Sequence, residues 1–289
     1  MKAYLFSGQG SQFVGMGKIF YKKSSLARKI FHLSNDILNF DFISIMFNGS
    51  ENILKKTINS QLAIYIYSFI ETKLYKNFLP DMVAGLSLGE FSALTAINVI
   101  SFEDGLILVK KRGNLMQKAC ESIPGKMVAI FGLKDEIIEH VCKEEVGIVV
   151  PSNYNSDNQL VISGDCNSIK KVCLILKKLG ASRILELPVY GAFHSPIMGL
   201  VKKNFIKVIN KISFNNPICP IYQNFIGTPV TNPNEIKNNL IEQLISPVKW
   251  KHSIKNMIMN GANHFTEIGP SNILKNMAKK MLKTFNKKM

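Results

Sequence analysis

A chain of 289 residues is long enough for one large domain or two that share a core, and 46% hydrophobic with 19% charged residues describes a globular protein rather than a disordered one. No apolar run reaches the roughly 18–20 residues of a membrane-spanning helix, so no membrane partner is expected. The net charge of +16 is carried almost wholly by lysine, with Arg28, Arg112 and Arg183 the only arginines; the lysines are scattered rather than clustered with aromatics, which argues against nucleic acid and for A/T-rich codon usage or for steering of an acidic partner.

In chain order, the pattern predicts a strand over 3–7, helices near 17–39 and 60–77, a strand over 82–86, and helices over 90–98 and 102–119. That alternation belongs to an α/β domain around a parallel sheet. The first strand begins so close to Met1 that a signal or transit peptide is not expected. The rhythm then changes after Pro124-Gly125. A strand over 127–132, a helix over 134–145, strands over 147–151 and 159–163, a helix over 167–179 and a strand over 182–188 make the order βαββαβ, with Asp157-Asn158 as the hairpin turn. Beyond Pro188 the pattern predicts a helix over 196–211, a strand over 218–223, helices over 234–244 and 250–260, a strand over 263–268 and a last helix over 272–283. The fold class expected is α/β: a large α/β-hydrolase-like domain with a parallel sheet (1–121 and 191–289), interrupted by a small ferredoxin-like βαββαβ domain (122–190). Cys120, Cys142, Cys166, Cys173 and Cys219 are odd in number and form no CxxC, which reads as reduced thiols with no metal site.

Gly85-Leu86-Ser87-Leu88-Gly89 lies between the apolar Met82-Val83-Ala84 and a helical pattern starting at Glu90. A strand–GxSxG–helix arrangement is a nucleophile elbow, a tight turn that lifts the hydroxyl of Ser87 clear of the sheet. A serine needs a base. His32 and His140 fall in polar helices, and His252 and His264 at the start of a helix and of a short strand. His194 stands apart, in Gly191-Ala192-Phe193-His194-Ser195-Pro196 where the chain leaves the insertion for the large domain, at the mouth of an interdomain cleft. No aspartate between Ser87 and His194 sits where a hydrolase would place its third member, so a main-chain carbonyl or an amide side chain is the alternative. Ser7-Gly8-Gln9-Gly10-Ser11-Gln12 follows the first strand as a Gly-rich loop suited to giving backbone donors to an oxyanion. Arg112, retained where lysine is the usual cation, suits a planar carboxylate clamp. These residues alone leave a serine hydrolase and an acyltransferase both open.

Taken together the segments resemble the malonyl-CoA:acyl carrier protein transacylases of type II fatty acid synthesis. The similarity rests on Gly8-Gln9-Gly10-Ser11-Gln12, Gly85-Leu86-Ser87-Leu88-Gly89-Glu90, Arg112-Gly113-Asn114-Leu115-Met116-Gln117, Gly191-Ala192-Phe193-His194-Ser195-Pro196, Gln243-Leu244 and Glu267-Ile268-Gly269-Pro270, running from Met1 to about Leu282. The resemblance implies Ser87 as acyl-accepting nucleophile, His194 as its base, the carbonyl of Gln243 as the group orienting the histidine, and the amides of Gln9 and Leu88 as the oxyanion hole. It further implies that Arg112 binds the malonyl carboxylate and that Asn224 belongs to the cleft; Phe193, beside His194 in sequence, is expected to crowd the acyl α-carbon. The implied substrates are malonyl-CoA and holo-acyl carrier protein, with no cofactor. The chain is expected to act as a monomer and, given its A/T-rich codon signature, in a plastid stroma if plastid-encoded and otherwise in a bacterial cytoplasm. The family usually has histidine where this chain has Leu86 and proline where it has Ser7; these changes are expected to alter rate rather than abolish activity, the second by loosening the oxyanion loop.

Overall fold

The computed structural model describes residues 1–189 and 191–287. Tyr190, the expected last residue of the insertion, and Lys288 and Met289 at the end of the large domain lie outside the described residues.

Among the described residues the strands are, in chain order, β1 (Lys2–Phe6), β2 (Met82–Gly85), β3 (Gly125–Phe131), β4 (Val149–Ser156), β5 (Gln159–Asp165), β6 (Arg183–Glu186), β7 (Ile221–Tyr222), β8 (Pro229–Val230) and β9 (His264–Ile268). They form a five-stranded sheet in the order β8-β7-β2-β1-β9 and a four-stranded sheet in the order β4-β5-β3-β6. In the first, β7, β2, β1 and β9 are parallel and β8 is an antiparallel edge. All pairs in the second are antiparallel.

The parallel sheet is buried on both faces, as parallel sheets are when helices cover them. Alternate side chains of each strand therefore enter different cores. Tyr4, Phe6 and Val83 pack into a cluster with Leu62, Ile66, Phe91, Leu94 and Leu106 of the helices Thr57–Leu74, Gly89–Ala96 and Phe102–Ser122. Ala3, Leu5, Met82 and Ala84 point the other way, against Trp250, Ile254 and Leu274 of the helices Trp250–Met259 and Ile273–Asn286.

The small sheet uses the same alternation. Val128, Ile130, Leu160 and Ile162 pack under the helices Asp135–Glu144 and Cys166–Lys178. Met127, Ala129 and Val161 face the large core and are continuous with it. The seam is hydrogen-bonded as well: Tyr154 N–H donates to the carbonyl of Val248 at 2.9 Å and Val248 N–H to that of Ser152 at 2.8 Å. Lys251 pairs with Asp135 across it, and Lys255 with Asp157 at 2.6 Å.

Several expected elements differ in extent. The helix near 17–39 is two, Lys18–Lys23 and Ser25–Leu38, because Ser24 is extended and its Oγ accepts the N–H of Ala27 as an N-cap. Two short helices, Phe42–Asn48 and Glu51–Lys55, were not anticipated; Asp41 and Ser50 cap them. The strand expected over 218–223 keeps only Ile221–Tyr222, and the antiparallel β8 was not anticipated.

The elbow depends on close backbone approach. A Cβ added at Gly85 would lie 2.0 Å from the carbonyl carbon of Gly89, and one at Gly89 would lie 2.2 Å from the carbonyl oxygen of Phe6. Neither neighbour is a movable side chain. Gly89→Ala is expected to lower stability to urea by about 1–3 kcal/mol or more through overpacking, whereas Gly199→Ala, where a Cβ meets nothing within 4 Å, should leave it unchanged or slightly raised. Equal effects of the two substitutions would contradict the packing argument.

Candidate active site

β2 ends at Gly85 and the helix Gly89–Ala96 begins four residues later, so Ser87 sits at the top of a turn with no slack. Its φ of 52° is left-handed, a conformation that costs a non-glycine residue free energy and persists only where the surroundings enforce it. Asn224, following β7, supplies the clamp. Its Oδ1 accepts the Ser87 N–H at 2.6 Å and its Nδ2 donates to the Gly85 carbonyl at 2.7 Å, so one amide bridges both arms of the turn.

The half-buried Ser87 hydroxyl meets two groups. His194 Nε2 lies 2.8 Å from Oγ, and Arg112 Nη2 donates to the same oxygen at 3.0 Å. His194, itself left-handed at φ 57°, has its Nδ1 2.8 Å from the main-chain carbonyl of Gln243. A carbonyl can only accept, so Nδ1 carries the ring proton and Nε2 is left as the acceptor for the serine O–H. Gln243 is fully buried, and its side chain is in full use: Oε1 accepts from Arg112 at 3.2 Å, and Nε2 donates to the Ser87 carbonyl at 3.0 Å and to Glu90 at 2.8 Å.

Arg112, from the helix Phe102–Ser122, is 1% exposed, with its guanidinium 5.6 Å over the Phe91 ring. No carboxylate among the described residues lies within ion-pair distance of it, and its Nε has no acceptor there. Burial pulls its pKa down to about 10 while the nearby Glu90 opposes that shift. Burial also depresses His194, to about 4, with the Arg112 charge adding to the effect. The imidazole is therefore neutral at physiological pH and able to take a proton.

The loop after β1 reaches the same place. A Cβ on Gly8 would lie 2.5 Å from the Leu86 carbonyl oxygen, which puts Gln9 beside the elbow. Neither the Gln9 nor the Leu88 amide donates to an acceptor among the described residues, and both remain available to a developing oxyanion. The Gln9 side chain is held from below by Gln61 Nε2 at 3.2 Å. Phe193 is buried next to His194.

A hydroxyl shared between a neutral imidazole and an unpaired buried cation, with free amides alongside, is equipped for acyl transfer from an ester or thioester. The comparisons with known proteins agree. An acyl transferase domain model matches residues 3–288. Malonyl CoA-acyl carrier protein transacylase of Staphylococcus aureus is 37% identical over 282 residues, covering 96% of this chain and 92% of that one. The chain belongs to the malonyl-CoA:acyl carrier protein transacylase family. Among solved structures, an acyl carrier protein S-malonyltransferase from Vibrio cholerae superposes with a TM-score of 0.92 at 33% identity, covering 98% of this chain and 94% of that one. A malonyl-transacylase solved in complex with its type II PKS acyl-carrier protein gives 0.94 at 32% identity, covering 98% and 93%.

Every site residue singled out from the sequence of this transacylase family member lies in or beside this cluster. Ser7, where the family usually has proline, anchors the loop rather than loosening it. Its N–H donates to the Ile268 carbonyl at 3.1 Å, extending the β1–β9 ladder by a bond that proline could not make, and its Oγ donates to Glu267 at 2.7 Å. Leu86 packs against the cluster around Trp250. The residue that sequence reasoning passed over is Glu90. It lies in the matched elbow motif, and its side chain is fully buried between Asn224 and Gln243.

The depressed His194 pKa has a kinetic consequence. Inactivation of the free enzyme by a neutral serine-directed sulfonyl fluoride requires the unprotonated imidazole, so its rate should fall only as pH drops towards about 4. Arg112→Ala removes one of the two depressing causes and should move that acid limb upward, towards the ordinary histidine value. A wild-type limb already at the ordinary value would contradict the buried, neutral imidazole.

Proposed function

We propose that the chain moves malonyl from malonyl-CoA to the phosphopantetheine thiol of holo-acyl carrier protein through a malonyl-serine intermediate, supplying malonyl-acyl carrier protein for fatty acid synthesis. Ser87 Oγ attacks the thioester carbonyl carbon while His194 Nε2 takes the hydroxyl proton. The Gln9 and Leu88 amides receive the negative charge on the carbonyl oxygen. As the C–S bond breaks, His194 returns the proton to the departing CoA sulfur. In the second half the carrier-protein thiol attacks the malonyl-Ser87 carbonyl carbon as His194 takes its proton; the ester C–O bond then breaks, malonyl leaves on the carrier sulfur, and His194 gives the proton back to Ser87 Oγ. As written, neither half needs a metal or a redox cofactor.

The single observation that carries the malonyl assignment is the buried Arg112 guanidinium, which touches Ser87 Oγ and has no carboxylate partner among the described residues. A buried cation without a counter-ion is costly, and the free carboxylate of a malonyl group on Ser87 supplies the missing charge. Gln243 orients His194, Asn224 shapes the elbow, and Phe193 disfavours a methyl branch at the acyl α-carbon.

We read the large part, 1–121 and 191–289, as α/β-hydrolase-like; the strand–elbow–helix at Ser87 supports this. We read 122–190 as a ferredoxin-like insertion, supported by the order β4-β5-β3-β6 with two helices on one face. Acyl carrier protein and CoA are the partners, with no nucleic acid or membrane; acyl carrier proteins and CoA phosphates are acidic, and the net charge of +16 attracts both. One chain supplies every group named in the site, which supports action as a monomer. The compartment is a bacterial cytoplasm or, for a plastid-encoded chain, the stroma.

Arg112→Ala should lower kcat/KM for malonyl-CoA by about 10–100-fold or more, the scale of a lost charged hydrogen-bond pair, while acetyl-CoA is used equally well or better. Arg112→Lys should recover malonyl transfer only in part, because an ammonium lacks the two-pronged geometry. An equal loss with both substrates would make the arginine structural and remove the basis for malonyl selectivity.

A further inference from the structure

Glu90 opens the helix behind the nucleophile and is completely buried, yet it is not one of the groups that perform the transfer proposed above. One oxygen, Oε1, accepts the main-chain N–H of Asn224; the other, Oε2, accepts the side-chain N–H of Gln243 at 2.8 Å. Those two residues come from separate segments, 134 and 153 residues further along the chain. Both reach the reacting pair, Asn224 on the Ser87 side alone and Gln243 on both sides, since its Nε2 also donates to the Ser87 carbonyl at 3.0 Å. Asn224 holds the Ser87 N–H and the Gly85 carbonyl, and so fixes the elbow. Gln243 holds His194 Nδ1 through its carbonyl and Arg112 through its Oε1.

We propose that Glu90 is a positioning residue that locks the nucleophile clamp and the histidine holder into one frame, so that the distance from Ser87 Oγ to His194 Nε2 is set by a single carboxylate. The inference rests on the acyl-transfer reading of Ser87 and His194 and goes beyond it to a residue that touches neither.

The chemistry of the joint favours this residue type. Two N–H donors converge on it from different directions, and a carboxylate offers two acceptor oxygens with no donor of its own. Both hydrogen bonds to it are N–H donations, which is a carboxylate's pattern; burial raises its pKa to about 8, outweighing the Asn224 and Gln243 donors and the Arg112 charge, which favour the carboxylate form. A glutamine of the same size would turn an N–H towards one of the two donors and break that arm. An aspartate would keep both acceptors but fall one methylene short of spanning them. Geometry of this kind matters to rate, since misplacement of reacting groups by about 1 Å can cost about 10²-fold.

The test separates a positioning role from a merely structural one. Wild type, Glu90→Gln, Glu90→Asp and Gln243→Leu, alone and combined with Glu90→Gln, are mixed with excess malonyl-CoA, quenched at short times, and followed by intact mass for malonyl-enzyme. The plateau reports the fraction of folded, competent protein, and the rate constant reports the alignment of Ser87 with His194. The expected result for Glu90→Gln is an acylation rate constant lowered by about 10²-fold at an amplitude near that of wild type, with Glu90→Asp intermediate. In the double variant the loss should not exceed the larger of the two single losses by more than about twofold, because breaking either arm already uncouples the clamp from the holder. A lowered plateau with an unchanged rate constant, or a glutamine variant indistinguishable from wild type, would overturn the proposal. Fully additive losses in the double variant would also overturn it. If wild type itself formed no malonyl adduct, it is the acyl-transfer reading that would fall.

Discussion

The Ser87 hydroxyl lies between a neutral imidazole at 2.8 Å and a buried guanidinium at 3.0 Å, and the rest of the structure is arranged to keep those two neighbours in place. Each neighbour constrains the other. The charge on Arg112 helps to keep His194 unprotonated, which a base requires, and the arginine is itself buried, which lowers its own pKa. A cation in that position is stable only if the surroundings offer dipoles, and Gln243 Oε1, the Phe91 ring and Glu90 nearby supply them. None is a direct ion-pair partner, so the site favours a substrate that brings an anion.

Holding the three groups together is a problem of chain geometry. Ser87, Arg112, His194, Asn224 and Gln243 come from five segments of the chain, and the parallel sheet brings them to one end of its strands. β2 delivers Ser87, β1 delivers the loop bearing Gln9, and the segment after β7 delivers Asn224. Ligand sites in open α/β sheets gather at these carboxyl ends. The small antiparallel sheet adds the approach to His194. It packs one face on the large core and its edge on Val248, five residues beyond Gln243, so the histidine loop and its orienting carbonyl rest on the same seam.

Much of this could be read from the residues. The buried strands, the glycines of the elbow and the βαββαβ rhythm are local signals with a direct physical cause, and the hairpin at Asp157-Asn158 falls where it was expected. Boundaries set by a single side chain were less legible. Ser24 looks like any helix surface serine until its Oγ is seen capping Ala27, and the short helices after Asp41 and Ser50 carry capping signals too brief to stand out from loop. The histidine's orienting group is a main-chain carbonyl, which every residue possesses, so only the resemblance pointed to Gln243. Glu90 was visible as a carboxylate in the first turn of a helix, where its charge suits the helix dipole; nothing local says that it is buried, or that it reaches two segments more than a hundred residues away. The replacement of proline by Ser7 read as a loss, because its partners, Ile268 and Glu267, lie at the far end of the chain.

The central claim is that Ser87 carries the acyl group between the two thiols. The most direct measurement is incubation with isotopically labelled malonyl-CoA, acid quenching, proteolysis and mass mapping of the labelled peptide. Label on Ser87 alone, discharged when holo-acyl carrier protein is added before the quench, is the result expected. Label on Ser11 or Ser195, or release of CoA with no labelled serine, would contradict it.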